Sequence, residues 1–337
     1  MIPHNLPTFG VEEQAAAIRV LESGWVAQGP EVESLENELC QFMNLPQGHA
    51  VMVSSGSAAL YLALWVLNGK KKKVGLPVYA CTALRNAVDL IGGKNVYFDC
   101  EDEGPNIDML AAVQSDIDIL IAPSMFGIPV DLPKIYNFKI IEDIAQSLGA
   151  IVSGERIGMR GDIGICSFYA TKLMTTGGQG GALISRDKAL IDQVRDYREF
   201  DCRYDTKTRF NFQMTDIQAA VGRVQLSKLD CFIDIRSRLF NIYKNHGLTL
   251  LEPRFPLSQS VHYRAVINTD KPLEIIKLLY SKNIKSIIPI KKDELLANSK
   301  KYKNANKLSQ STVSLPIYPT LSEKDINRIA IIINNNI

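Results

Sequence analysis

The chain has 337 residues, 46% of them hydrophobic, and its 38 Lys and Arg against 36 Asp and Glu leave a net charge of +2. That length can bury a large core and predicts two domains, while near-neutrality removes any electrostatic case for nucleic-acid binding. No apolar run reaches the length that spans a bilayer, and Met1–Pro7 lacks the charged and apolar regions of a secretory signal, so a cytoplasmic location is expected.

From about residue 50 to 186, strand-like apolar runs recur at 51–54, 74–76, 95–99, 118–122, 138–142, 163–168 and 181–185. Helical stretches at 57–67, 80–91 and 108–114 separate several of them. This alternation predicts an α/β fold with a mostly parallel central sheet. The run Lys70–Lys73 ahead of the second strand reads as a solvated loop. A long helical segment from Thr215 to about Tyr243 follows, then a strand over 261–267 that would contain His262, a helix over 271–282 and a last helix from Ser322, with a polar end at Asn334–Ile337 that should fray. The boundary is placed between a large domain, 1–230, and a smaller C-terminal α+β domain, 231–337. Four histidines without ligand spacing and six scattered cysteines without a C-x-x-C pair suggest neither a metal site nor a disulfide framework.

Three of the strand ends carry chemistry. Val51–Val53 runs into Ser54-Ser55-Gly56-Ser57 and a helix. Backbone N–H groups of Ser55, Gly56 and Ser57 at a helix start suit a phosphate, aided by the helix dipole and the hydroxyls. Phe138–Ile141 ends in Glu142-Asp143; neighbours on a strand point to opposite faces, so only one of the two carboxylates can serve a given site. Ile163–Phe168 leads through Tyr169-Ala170-Thr171 to Lys172 and a glycine-rich turn, Gly177 to Gly181. A lysine just past a buried strand can be desolvated and made nucleophilic toward carbonyls. In open α/β sheets ligands gather outside the carboxyl ends of the strands. An anion turn, a carboxylate and a lysine placed there are the parts of a pyridoxal 5'-phosphate (PLP) site: Lys172 would hold the cofactor and then move protons, and Asp143 would keep the pyridine nitrogen protonated.

With these motifs in order, the sequence resembles the DegT/StrS-type sugar aminotransferases, within the fold-type I PLP enzymes. The resemblance covers nearly the whole chain: Leu21–Pro30 and Glu31–Phe42, the phosphate turn, Leu76–Ala83, Glu142–Ala150, Ser167–Gly181, Phe210–Ala220, and Ser314–Pro319 with Leu321-Ser322. It selects Asp143 over Glu142 for the ring nitrogen and leaves Glu142 a structural or near-substrate role. It adds Gln146 and Ser167 to the cofactor-binding residues and aligns Cys81 where relatives stack an aromatic residue on the ring, with Tyr79 as the alternative for stacking. It also implies that Asn211 reaches the phosphate of a neighbouring subunit in a homodimer with shared active sites, the commonest symmetric assembly. Three departures stand out: Ser57 replaces threonine, Gln213 stands where arginine is common, and the lysine loop carries one extra residue around Gly178.

The implied activity is transfer of an amino group from L-glutamate to a nucleotide-linked keto-sugar, for lipopolysaccharide or a related bacterial glycoconjugate. Two alternatives stand beside it: a PLP-dependent sugar dehydratase or deoxygenase on the same scaffold, and, from another class, a non-catalytic PLP-binding regulatory protein. The dehydratase branch has histidine at the position of Lys172, so the lysine favours transamination.

Overall fold

The computed structural model describes residues 1–298 and 300–336; Ile337, the last residue of the expected frayed tail, lies outside them. In chain order the first elements are α1 (Val11–Ser23), α2 (Pro30–Phe42), β1 (Ala50–Val53), α3 (Gly56–Val66), β2 (Lys73–Pro77), α4 (Thr82–Ile91), β3 (Lys94–Phe98), α5 (Met109–Val113), β4 (Ile119–Pro123) and β5 (Lys139–Asp143). Next come the short β6 (Ile151–Val152) and β7 (Glu155–Arg156), then β8 (Ile163–Ser167), β9 (Gly181–Ile184), α6 (Lys188–Arg198), α7 (Asp216–Ser227) and α8 (Leu229–Asn245). The chain closes with β10 (Ser258–Gln259), β11 (Ala265–Asn268), α9 (Pro272–Ser281), α10 (Lys303–Ser311), β12 (Thr312–Leu315) and α11 (Glu323–Asn334). None of the described helices is long and apolar enough to cross a membrane.

Seven strands form one sheet in the order β1-β9-β8-β5-β4-β2-β3. The β2–β3, β2–β4, β4–β5 and β5–β8 pairings are parallel, and β9 runs antiparallel between β8 and β1. The strands are apolar without strict alternation because both faces are covered, as parallel sheets require. The two-residue period decides which cover each side chain meets. Ala50 and Met52 pack with Leu35 and Leu39 of α2, whereas Val51 and Val53 pack with Leu60 and Leu64 of α3. A smaller antiparallel pair, β11–β12, builds a separate core with α8, α9 and α11 around Phe240, Leu279, Leu315 and Ile329.

Two expected elements differ. The helical segment from Thr215 breaks at Lys228 into α7 and α8, where Lys228 leaves regular helical geometry (φ −96°, ψ −6°) and its Nζ binds Glu12 and Glu13 of α1. The strand expected over 261–267 begins only at Ala265, and His262 is not in it. Val261 and Arg264 instead donate their N–H groups to the carbonyls of Gly127 and Phe126, and His262 takes a left-handed φ of +47°. That detour draws the start of the small sheet up to the turn that follows β4.

Candidate active site

Parallel strands deliver their carboxyl ends to one edge, and the antiparallel β9 brings its amino end there as well. A cavity of about 230 Å³ opens at this edge. Each contribution has a local cause. Ser55 caps α3, its Oγ accepting from the Ala58 N–H at 3.1 Å. The first N–H groups of a helix have no intrahelical acceptor, and Gly56 and Ser57, which carry two of them, line the cavity. A side chain at Gly56 would put its Cβ 2.8 Å from the Ser167 Cβ, and one at Gly181 would lie 2.5 Å from the Ser55 carbonyl oxygen. Gly56 therefore lets the anion turn touch β8, the strand that leads to Lys172, and Gly181 lets the same turn touch β9.

Glu142 and Asp143 separate as strand neighbours must. Glu142 is buried and accepts from the Nε and Nη2 of Arg160 at 3.1 and 2.9 Å, as well as from the N–H groups of Gly158 and Gly161. It is committed to holding the loop before β8. Asp143 lines the cavity, its Oδ1 accepting only the Ala145 N–H at 2.9 Å, and it forms no ion pair among the described residues. Burial pushes its carboxyl up from the usual range, opposed by the Ala145 N–H and the positive Lys172. Desolvation without a partner disfavours the charged form, so a cationic ligand group beside Asp143 would restore its ionisation.

Lys172 is half-buried in a turn closed by its N–H on the Tyr169 carbonyl. Its Nζ lies 5.7 Å from the ring centroid of buried Tyr263 and has no carboxylate partner among the described residues. The loop that follows carries two successive glycines at positive φ, Gly177 (+85°) and Gly178 (+148°). Gln146 also lines the cavity, and its Oε1 accepts from the Phe126 N–H at 2.9 Å.

Ser55, Gly56, Ser57, Cys81, Asp143, Gln146, Ser167 and Lys172 thus surround one cavity, and Asn211 does not. Asn211 is exposed on the segment that packs over Tyr61 of α3. Tyr79 does not serve as a stacking partner. It is fully buried against Phe126 in the core beneath the cavity, so Cys81 alone of the two faces the site. Ser124 and Met125 at the end of β4, Tyr169, Tyr263 and Arg264 were not anticipated. The first two could have been found by applying the strand-end rule to the run ending at Pro123; nothing local marks the last two. The Lys70–Lys73 loop lies at the opposite edge, where Lys72 and Lys73 pair with Asp118 and Asp116.

A mostly parallel α/β sheet that brings a helix N-terminus, a buried carboxylate and a lysine to one cavity at its carboxyl edge defines a fold-type I transferase. The family model of the DegT/DnrJ/EryC1/StrS aminotransferases matches residues 7–334, and the chain belongs to that family. It is 27% identical over 341 residues to the UDP-N-acetyl-3-dehydro-alpha-D-glucosamine 3-aminotransferase of Acidithiobacillus ferrooxidans, across 95% of this chain and 92% of the relative. Among solved structures it resembles S. venezuelae DesV, with 28% identity and a TM-score of 0.88 over 96% of this chain and 94% of that one. It also resembles the PLP form of Spr1654 from Streptococcus pneumoniae, with 22% identity and a TM-score of 0.89 over 98% and 97% of the two chains.

Proposed function

We propose that this protein is a PLP-dependent aminotransferase that moves the amino group of L-glutamate to a nucleotide-linked keto-sugar in the cytoplasm. The product would enter a lipopolysaccharide or a related bacterial surface glycoconjugate. The observation that carries this reading is that Lys172 and Asp143, both without a counter-ion among the described residues, line the same cavity as the start of α3. The named substrate of the Acidithiobacillus relative supports a nucleotide-sugar acceptor.

The residues fit the cofactor. Gly56, Ser57 and the cap Ser55 would bind its phosphate through N–H and hydroxyl groups, and Asp143, raised while unpartnered, would regain its charge opposite a protonated ring nitrogen. When bound, PLP supplies a carbonyl for the amine and an electron sink for the carbanion that follows. Lys172 would contribute the amine that holds the cofactor and afterwards carry the proton taken from or returned to the substrate carbon. Gln146, tied to the Phe126 N–H, would shape the wall beside the ring, and Cys81 would cover its face without aromatic stacking.

Asn211, outside the cavity of its own chain, would complete the phosphate site of a second copy in a homodimer. The division into 1–230 and 231–337 would fall within the first turn of α8, whose Leu229 packs with the large core while Leu239 and Phe240 pack with the small one.

The decisive experiment is an absorption spectrum of the purified protein before and after L-glutamate. A cofactor band that glutamate bleaches, and that Lys172→Ala abolishes, would support the reading; a cofactor band indifferent to glutamate and other amino acids would refute it.

A further inference from the structure

Residues 1–10 precede α1 and form no helix or strand, although Ile2 makes a single bridge to Ile284. They are nevertheless fastened along their length. The Ile2 N–H donates to the Asn283 carbonyl at 2.7 Å, and the Ile2 carbonyl accepts from the Lys285 N–H at 2.9 Å. His4 Nε2 lies 2.8 Å from the Ser314 Oγ of β12. Further on, the Thr8 carbonyl accepts from Gln225 Nε2 of α7 at 2.8 Å. This arm thus runs from the small sheet to α7, and half-buried Asn5 sits between its two anchorages. Asn5 Nδ2 donates to the Thr171 carbonyl at 2.7 Å, a contact between residues 166 positions apart.

That carbonyl belongs to the peptide leading into Lys172. A peptide unit is planar, so the Thr171 C=O and the Lys172 N–H turn as one rigid plate. Its two ends have different partners. The Lys172 N–H is held inside the turn by the Tyr169 carbonyl at 2.9 Å, whereas the Thr171 oxygen accepts no backbone N–H among the described residues and has Asn5 instead. No sheet ladder supports this stretch, because β8 ends at Ser167, β9 begins at Gly181, and the bridge of Tyr169 to Gly178 stops short of Thr171. Asn5 itself does not reach the cofactor. It shares a hollow of about 200 Å³ with Thr171, His4 and Tyr263, and it lines neither cavity that Lys172 lines. Any effect on the reaction must therefore pass through the lysine backbone. A reacting group misplaced by about an ångström loses much of its rate advantage. We propose that Asn5 is a positioning residue for Lys172: its amide fixes the Thr171–Lys172 peptide and so aims the lysine amine into the cofactor cavity.

This inference rests on the aminotransferase reading, and its test separates the two. Holoenzyme and its Asn5→Ala, Asn5→Asp and Asn5→Gln variants are mixed with L-glutamate over a range of concentrations. Bleaching of the cofactor band is followed in a single turnover, alongside cofactor occupancy and the thermal midpoint. Asn5→Ala should lower the limiting rate at saturating glutamate roughly 10-fold, as for a lost hydrogen bond that misplaces a reacting group. The half-saturating glutamate concentration should change by less than about 2-fold, because Asn5 touches no ligand. Asn5→Asp has the same size but no donor for the Thr171 carbonyl, and should fall at least as far. Asn5→Gln keeps the amide and should recover part of the loss. With 2-deuterated glutamate the isotope effect on the limiting rate should persist or grow, since the slowed step is the proton transfer that Lys172 performs. A lower thermal midpoint with an unchanged limiting rate per cofactor-loaded molecule would overturn the inference and leave the aminotransferase reading standing. So would a loss confined to the half-saturating concentration, or equal losses in Asn5→Asp and Asn5→Gln. A parent protein whose cofactor band responds to no amino acid would overturn both.

Discussion

The two edges of the central sheet treat charge in opposite ways. At the amino edge, Lys72 and Lys73 before and at the start of β2 pair with Asp118 and Asp116, and Lys139 at the start of β5 lies 2.7 Å from Asp162. At the carboxyl edge, Asp143 at the end of that same β5 and Lys172 beyond β8 line one cavity, and neither is in an ion pair among the described residues. A single strand thus begins with a neutralised charge and ends with an unneutralised one. Adjacent residues repeat the contrast, since Glu142 is held by Arg160 and backbone N–H groups while Asp143 has one. Charges matched within the chain serve the fold. Charges left desolvated and unmatched cost stability and are available to a ligand.

Substitutions along this contrast should sort by which property they damage. Lys172→Ala should remove turnover by at least about 10³-fold, since nucleophile and proton carrier are one group, while the unfolding midpoint of the cofactor-free protein stays put; comparable loss of both would place Lys172 with the structural charges. Asp143→Asn should cut turnover by roughly 10²–10³-fold and leave the cofactor-free protein as stable or more so at neutral pH. The sign follows from burial. A carboxyl whose folded pKa is raised above its unfolded value favours folding below the unfolded value, and that contribution is lost as pH rises through the folded value. Any advantage of the asparagine variant in a urea titration should therefore shrink as pH falls into the ordinary carboxylate range, and an advantage that grew on acidification would mean that Asp143 is charged and paired.

Glu142→Ala should do the reverse of Asp143→Asn. Loss of the carboxylate under Arg160 should cost about 3 kcal/mol of stability, with turnover per folded molecule changed only a few-fold. A severe kinetic defect in a folded protein would hand Glu142 a share of the chemistry. At the amino edge, Lys139→Ala should cost at most about 1 kcal/mol, because its side chain is mostly exposed and such pairs contribute little. Salt should erase that difference in a denaturation series; an effect surviving high salt would show the pair to be less screened than its exposure indicates.

What could be read in the residues was what short range dictates. Strand positions, the small-residue turn into α3, and the opposite facing of Glu142 and Asp143 all follow from periods of two and 3.6 and from helix-start chemistry. Where the expectation failed, a contact between distant segments had taken over. Lys228 breaks the long helix while bound to Glu12 and Glu13, and residues 261–264 leave the strand to hydrogen-bond the turn after β4.

The sequence by itself therefore determined the order of the elements and the three strand ends that bring Ser55–Ser57, Asp143 and Lys172 to one edge. Only the tertiary structure decided which charges would be matched, that Tyr79 would sink into the core while Cys81 faced the cavity, and that Arg264 would stand beside Lys172. The physical reason is separation along the chain. A hydrogen bond such as the one between Arg264 and His4 joins residues 260 positions apart, and no local periodicity carries information over that distance.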